Sequence, residues 1–541
     1  VFFDTPPDGR STTNQAIDWL GEFTLNYDKY FNDHHLIGLV GYTAQKSVRD
    51  GNYMRSLNYP NNLVRTLSAV GGQITEGTST KAEFSLLSYL ARINYIFKDK
   101  YYVTGTIRTD GSSRFGTDNK FGYFPSVALA WRLSEENFMG NIGFLNELKF
   151  RVSYGQSGNN NIGNYDHFAN IEYVNYNFAN QVVGGFAQGN VGNPVLSWEK
   201  QQQTNIGLDA SLFSHRLRLT ADYFRSRNYD LLLEVPIPSI TGFNSALQNI
   251  GEVKNTGWEF ILHTVNVSGK FEWTTNFNIS SYRNEVVKLG PEGNPIYSGN
   301  NITTIGKPMG MFYGLMFDGI FMNQEELDAG PHFNPEASDR SRLGDRRFVD
   351  VSGPDGMPDG LINNYDYTVV GSPYPDFYYG MTNNFSYRNF NVSINLTGSQ
   401  GGQIYNLSRD GNNSGRGRVR TLAFNKNYWK SEAEPGDGKT QRPNDAPSGG
   451  GRLPGSHWLD DASFLRINNI TLGYNFSTQL LQNINIRSLR IYLTAHNPLI
   501  FTKYTTWNPD SSNSGNPLQP GRENNDYPLQ KGLMMGVNVG F

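Results

Sequence analysis

The feature that most constrains this chain is an alternation of period two that returns from one end of it to the other. In LKFRVSYG, Leu148, Phe150, Val152 and Tyr154 fall on one side of an extended backbone, with Lys149, Arg151 and Ser153 on the other. RLRLTADY splits the same way, Leu217, Leu219, Ala221 and Tyr223 against Arg216, Arg218, Thr220 and Asp222. The pattern recurs in SYLARINYIF (Ser88 to Phe97), NVSINLTG (Asn391 to Gly398) and LRIYLTAH (Leu489 to His496). The chain also ends on it: in LMMGVNVGF, Leu533, Met535, Val537, Val539 and Phe541 occupy every second position. Strands with one apolar and one polar face dictate an all-β fold. A terminal strand of this kind aggregates in water unless something pairs or buries it.

Alternation alone fits a soluble sandwich as well as a barrel in a membrane. The connections separate the two, because they are sorted by length. Short links occur at FNDHH (31 to 35), FKDK (97 to 100), FSHR (213 to 216), VSGK (267 to 270) and YRN (387 to 389). Long polar excursions lie between them, at about 51–79, 158–198, 289–375, 406–463 and 502–530. Short turns on one side and long loops on the other are expected of a transmembrane antiparallel β-barrel, with the short turns periplasmic. The chain has no run of about 18 apolar residues, so a transmembrane helix is excluded. A mean hydropathy of -0.52 does not conflict with a barrel, in which only alternate strand residues are apolar.

Composition adds exclusions. There is no Cys, which removes disulfides, thiolate metal sites and a Cys nucleophile. A net charge of -3 from 46 basic and 49 acidic residues gives no electrostatic pull toward nucleic acid. The 58 Gly, 31 Tyr and 34 Phe favour strands and tight turns over helices.

Counting under the loop rule places about fifteen strands, from near Leu20 to Phe541. The first, near Glu22 to Tyr30, and the last both run inward. Bacterial single-chain barrels normally have even strand numbers, so the expectation is the C-terminal part of a larger barrel, starting from a fragment or a processed end at Val1. On that count residues 1–541 do not close a barrel alone.

Several stretches, in order, resemble the barrel of SusC-like TonB-dependent transporters. They include RTDGSSRFG (Arg108 to Gly116), FGYFPSVALAWRLSEENF (Phe121 to Phe138), LKFRVSYGQSGN (Leu148 to Asn159) and NPVLSWEKQQQTNIGLD (Asn193 to Asp209). NIGEVKNTGWEF (Asn249 to Phe260), IGKPMGMFYGLMFDGIF (Ile305 to Phe321), GSPYPDFYYG (Gly371 to Gly380), FLRINNITLGYNF (Phe464 to Phe476) and LTAHNPLIFTKY (Leu493 to Tyr504) continue the series. The resemblance implies an outer-membrane barrel of about 22 strands with an N-terminal plug in a Gram-negative bacterium. It implies a SusD-like surface lipoprotein as lid, import of oligosaccharides or peptides, and energy delivered by TonB through the plug. No plug domain lies in this sequence, and the missing N-terminal barrel strands are expected as a further partner. Phe541 matches the terminal aromatic by which such barrels are recognised for assembly.

Residues with chemical potential are few. From Asp355, the run DGMPDGLINNYD puts Asp at position 1, Asp359 at 5, Gly360 at 6, Asn363 at 9 and Asp366 at 12, following much of a calcium loop. Met357 at position 3 cannot ligate, and the family resemblance implies an insertion around Pro354 to Pro358. The alternatives are a Ca²⁺ site at Asp355, Asp359 and Asp366 or a loop held by its own Asx turns. GDGKT (Gly436 to Thr440) has Ala433 where a phosphate loop needs Gly, and reads as a turn. Arg108, Arg114, Trp198 and Glu199 are candidate substrate or partner contacts, because sugars stack on aromatic faces and are gripped by planar polar groups. Their structural alternative is girdle, lumen and rim packing. The eight His show no HExxH spacing and no nucleophile elbow is present, so no enzyme is expected. Active import leads, with a passive or structural outer-membrane barrel and a soluble all-β binding protein as alternatives.

Overall fold

The computed structural model describes residues 8–59, 66–67, 73–140, 142–290, 292–333, 341–407, 427–442, 453–481, 486–510, 515–523 and 527–541. Fifteen strands hydrogen-bond in strict sequence order into one antiparallel sheet. They are β1 (Gly9–Phe31), β2 (His34–Leu57), β3 (Gln73–Phe97), β4 (Tyr101–Ser112), β5 (Phe121–Arg132), β6 (Leu145–Asn159), β7 (Glu199–Leu212) and β8 (Leu217–Pro236). The rest are β9 (Ser245–Val267), β10 (Phe271–Lys288), β11 (Phe377–Tyr387), β12 (Phe390–Gln400), β13 (Phe464–Asn475), β14 (Ser488–Thr502) and β15 (Gly532–Gly540). The order is open, with β1 and β15 as its end strands. Contacts divide the chain into two compact units, Val1–Glu136 with Phe150–Ile206 and Ser226–Glu252, and Asn137–Lys149 with Gly207–Arg225 and Val253–Phe541.

In the first unit, β1, β2 and β3 are much longer than the alternation predicts. They run 23, 24 and 25 residues, whereas about 9–11 tilted residues cross a bilayer. Apolar alternation fades above Trp19, yet β1 and β2 stay in register up to Gly9 opposite Ser56. Backbone pairing needs no apolar face, so strand continues where the hydropathy signal stops. The excursion expected at 51–79 is therefore strand up to Leu57 and again from Gln73. The short turn at Lys98 and Asp99 has φ of 54° and 52°, the left-handed pair whose twist suits a tight hairpin. At that rim, Phe97, Tyr101 and Trp131 stack at 6.2 and 6.3 Å, an aromatic belt at one membrane surface. Phe23 is 66% exposed, with Leu25, Ile93 and Ile107 likewise facing outward.

The second unit repeats the belt at its own short turns, through Phe144–Phe213, Phe271–Phe385 and Phe390–Tyr474. In β15, Leu533 and Met535 are 73% and 70% exposed, as an apolar face meeting lipid should be. Burial is concentrated in the excursions instead: Phe312, Tyr405 and Trp458 form one core, Leu315, Phe348 and Ile362 another. These long loops are packed bodies with small sheets of their own, such as that joining Ile296–Ser298, Asn301–Thr303, Met311–Gly314 and Thr368–Gly371. Sorting by loop length has exceptions on both sides: the long-side links 113–120 and 237–244 are short, and the short-side links 133–144 and 476–487 are longer than either.

Candidate functional site

At the loop end of the first unit, the strand-to-loop transitions assemble a knot around Trp198. It is 5% exposed, with Phe115 and Phe124 at 5.3 and 5.4 Å between ring centroids and Leu196 beside them. Its indole Nε1–H donates to the Lys120 carbonyl at 2.9 Å, which satisfies its one polar atom. Gly158 is required beneath it, since a Cβ there would come within 2.2 Å of the Phe124 ring. Glu199 accepts the Leu232 N–H at 2.9 Å and the Asn159 side-chain amide at 2.6 Å. Arg114 donates to Asn164 Oδ1 and the Asn160 carbonyl at 3.0 and 2.9 Å and lies 4.4 Å from the Phe84 ring centre. Burial lowers the Arg114 pKa, but a guanidinium keeps its charge. Arg108, on β4, holds the Asp110 carboxylate at 2.8 Å and Ser88 Oγ at 3.1 Å. Here all four side chains bond within the protein, at the rim or on the polar face.

In the second unit the calcium-like run does not assemble as a ligand set. Asp366 is fully buried and saturated by backbone: Oδ1 accepts the N–H groups of Val351 and Ser352 at 2.8 and 3.2 Å, and Oδ2 accepts that of Asn363 at 2.8 Å. Asn363 Oδ1 accepts the Tyr365 N–H at 2.8 Å, and Asn363 and Asp366 together form a capping box. Asp359 accepts Leu361 N–H at 2.9 Å, and Asp355 sits in an exposed turn beside Gly356 at φ 75°. Among the described residues no group of three His, Asp or Glu side chains has metal-holding geometry. Asp366 closes the loop from inside through these backbone N–H groups. GDGKT is likewise a turn, with Asp437 Oδ1 accepting the N–H groups of Lys439 and Thr440 at 2.9 and 2.7 Å. Asp461 is held below the usual carboxylate range by the Ser463 hydroxyl and N–H.

A wall of carboxamides and hydroxyls in the second unit escaped the sequence reading. On the polar face of β9 to β14, His263 Nδ1 and Asn276 Oδ1 lie 2.7 Å apart, and Asn395 donates to Thr382 Oγ1 at 2.8 Å. Asn468 donates to Asn395 Oδ1 at 2.9 Å, and His496 Nδ1 meets Asn469 Oδ1 at 2.6 Å. Ser393 and Asn384 add a further bond at 2.8 Å. The signal was present in NVSINLTG, whose polar positions are Asn391, Ser393, Asn395 and Thr397. It looked like ordinary alternation, because a single strand does not show that its neighbours carry the same chemistry. The stretch 406–428, which its Tyr, Asn and Gly content marks as a wet surface, lies largely outside the described residues.

Comparison with known proteins fits this geometry. Residues 2–319 match the family model described as TonB dependent receptor-like, beta-barrel. TonB-dependent receptor P26 of Formosa agariphila is 33% identical, over 97% of this chain and 53% of its own length. TonB-dependent receptor SusC of Bacteroides thetaiotaomicron is 31% identical, over 87% of this chain and 45% of its own. Among solved structures, that of the RagAB peptide transporter superposes with a TM-score of 0.84 at 26% identity, covering 99% of this chain and 56% of that one. The chain thus spans about half the length of the curated relatives it matches. The sorted connections, the lipid-facing apolar face and these matches agree, and the chain belongs to the TonB-dependent receptors, as SusC-like barrel of a Gram-negative outer membrane.

Proposed function

We propose that this chain is the barrel portion of an importer that takes up oligomeric nutrient, oligosaccharide or peptide, driven by TonB and lidded by a SusD-like surface lipoprotein. In this reading a plug and further strands lie outside this chain, which covers about half of its relatives' length. Two of the similar proteins support this, SusC and the RagAB peptide transporter. Phe541, exposed at the end of β15, is the assembly signal in this reading. The family is that of TonB-dependent receptors, and the buried Asp366 carboxylate is bound to the protein's own backbone.

The observation that carries the lid is a free hairpin, Ile171–Phe178 paired with Gln181–Gln188. It projects from the first unit with Ile171, Tyr173, Tyr176, Phe178, Val182 and Phe186 all exposed. A lone hairpin is marginal in water, and a patch this apolar marks a protein interface. Tagged full-length protein purified from native membranes should bring a surface lipoprotein with it. Serine at Tyr173, Tyr176, Phe178 and Phe186 together should release that lipoprotein while the barrel stays heat-modifiable on gels. Recovery of the transporter alone, with uptake of oligomers intact, would overturn the lidded reading in favour of a passive barrel.

A further inference from the structure

The outward face of the first unit changes character along β3. Leu87, Tyr89, Ala91, Ile93 and Tyr95 share that face, opposite Ala44, Tyr42, Val40, Gly38 and Leu36 of β2. From Leu87 to the belt at Phe97 the strand uses about the 9–11 tilted residues that cross hydrocarbon. Tyr42 and Tyr89, 5.4 Å apart, stand near the upper end of this band. Above them the same face becomes charged: Lys46 on β2 and Lys81 on β3 lie 3.1 and 3.6 Å from Glu83. With the short turns periplasmic, this is the height of the outer-leaflet headgroups.

At that height a cavity of about 470 Å³ is built onto the edge of β3. β4 stops pairing at Ser112 opposite Leu86, and loop groups take over the edge above it. Ser113 Oγ accepts the Ser85 N–H at 2.9 Å, and the Tyr165 hydroxyl accepts that of Glu83 at 3.0 Å. Glu83, Ser85, Thr117, Lys120, Tyr165 and His167 line the cavity, with Phe168, 56% exposed, beside them. Its back wall, Phe115, belongs to the Trp198 knot, which packs against Leu86 and Phe124. The Lys120 carbonyl is taken by Trp198, but its ammonium has no ion-pair partner among the described residues. His167 Nδ1 is buried with no hydrogen-bond partner among them.

We propose that this cavity holds the phosphorylated amino-sugar headgroup of an outer-leaflet glycolipid, whose acyl chains lie along the apolar band below. Such a site depends on the barrel's place in the outer membrane and on no transported nutrient. Of the neighbouring carboxylates, Glu83 is bridged by two lysines and Asp166 accepts the Gly163 N–H, which leaves Lys120 uncompensated. An ammonium at headgroup height is a compact partner for phosphate. Tyr165 and Phe168 offer ring faces to a pyranose, while Ser85, Thr117 and His167 offer polar groups to its hydroxyls and amide. A phospholipid supplies the phosphate but no ring for that aromatic wall.

The test uses the full-length protein in detergent with any partner that co-purifies, and reads binding by native mass spectrometry. The probes are lipid A, lipid A stripped of its phosphates, free glucosamine 1-phosphate and phosphatidylglycerol. Wild type should bind lipid A about tenfold more tightly than any of the other three. Lys120→Glu should weaken lipid A binding about tenfold and His167→Ala about threefold, while Lys120→Arg should keep it. Heat-modifiable migration on gels reports the fold of each variant. Lipid A binding unchanged in both Lys120→Glu and His167→Ala overturns the site. Equal binding of the dephosphorylated lipid overturns the role of phosphate, equal binding of glucosamine 1-phosphate overturns the lipid source, and equal binding of phosphatidylglycerol overturns the sugar.

Discussion

The polar face of the first unit and that of the second solve the same problem in different ways. In the first, charge is matched to charge: Arg108 with Asp110, Lys200 with Asp230 at 3.2 Å, and Arg227 with Glu252 at 2.6 and 2.8 Å, below a rim sealed by Trp198. In the second, the stretch of β10 to β12 around Asn276, Thr382 and Asn395 is joined by amide and hydroxyl bonds beside an open cavity, with charge only at its borders, in Glu272 on β10 and in the Arg466–Asp510 pair. Ion pairs fix their partners and leave little for a ligand. Neutral carboxamides have spare donors and acceptors, so the same alternating strands can be closed in one unit and receptive in the other.

The largest expected break in this contrast comes from the seal. Trp198→Ala should cost about 3–5 kcal/mol, the loss typical of a large aromatic removed from a packed site. Denaturant unfolding of the full-length protein would measure it, and a loss below about 1 kcal/mol would show that the rim does not depend on the knot. Next is Arg108→Met, which strips the partner from Asp110, only 9% exposed. Because Arg108 itself is 41% exposed, about 1–2 kcal/mol is expected, with recovery on adding Asp110→Asn. An equal cost for Asn395→Ala in the neutral wall would erase the distinction between the two faces.

Asp366→Ala removes the acceptor of three backbone N–H groups and should cost about 1–2 kcal/mol of local stability, read as faster hydrogen exchange in residues 350–366. The cost should be the same with and without added calcium. A calcium-induced gain in the wild type that the variant loses would restore the metal reading. The smallest effect expected is on pH. Burial, with Tyr297 nearby, pushes the Tyr313 hydroxyl from 10.0 to about 12. Its contribution is fully present below pH 10.0, where it is neutral in folded and unfolded chains alike. It is lost as pH rises toward about 12, where only the unfolded chain ionises easily. Tyrosinate absorbance during alkaline titration should show a delayed phase that Tyr313→Phe removes.

Much of the architecture was legible in sequence because its cause is local. Strand count and short turns follow from alternation and from turn residues such as Lys98 and Asp99, and fifteen strands are found where about fifteen are expected. The extra length of β1 to β3 was not legible, since paired backbone beyond the bilayer carries no hydropathy signal. Nor was the order inside the excursions, where Phe312 meets Tyr405 and Trp458 across long stretches of chain.

Trp198, Glu199, Arg108 and Arg114 stood out by residue type, but type does not say whether a group faces a ligand or its own protein. The sequence by itself determined the all-β membrane barrel, because a two-residue period and sorted loops leave no other way to satisfy backbone and lipid together. Only the tertiary structure decided which polar groups are already consumed. It buried the Asp366 carboxylate among backbone N–H groups and left Asn276, Asn278 and Tyr378 facing an open cavity, because hydrogen-bond partners are set by neighbours far apart in the chain.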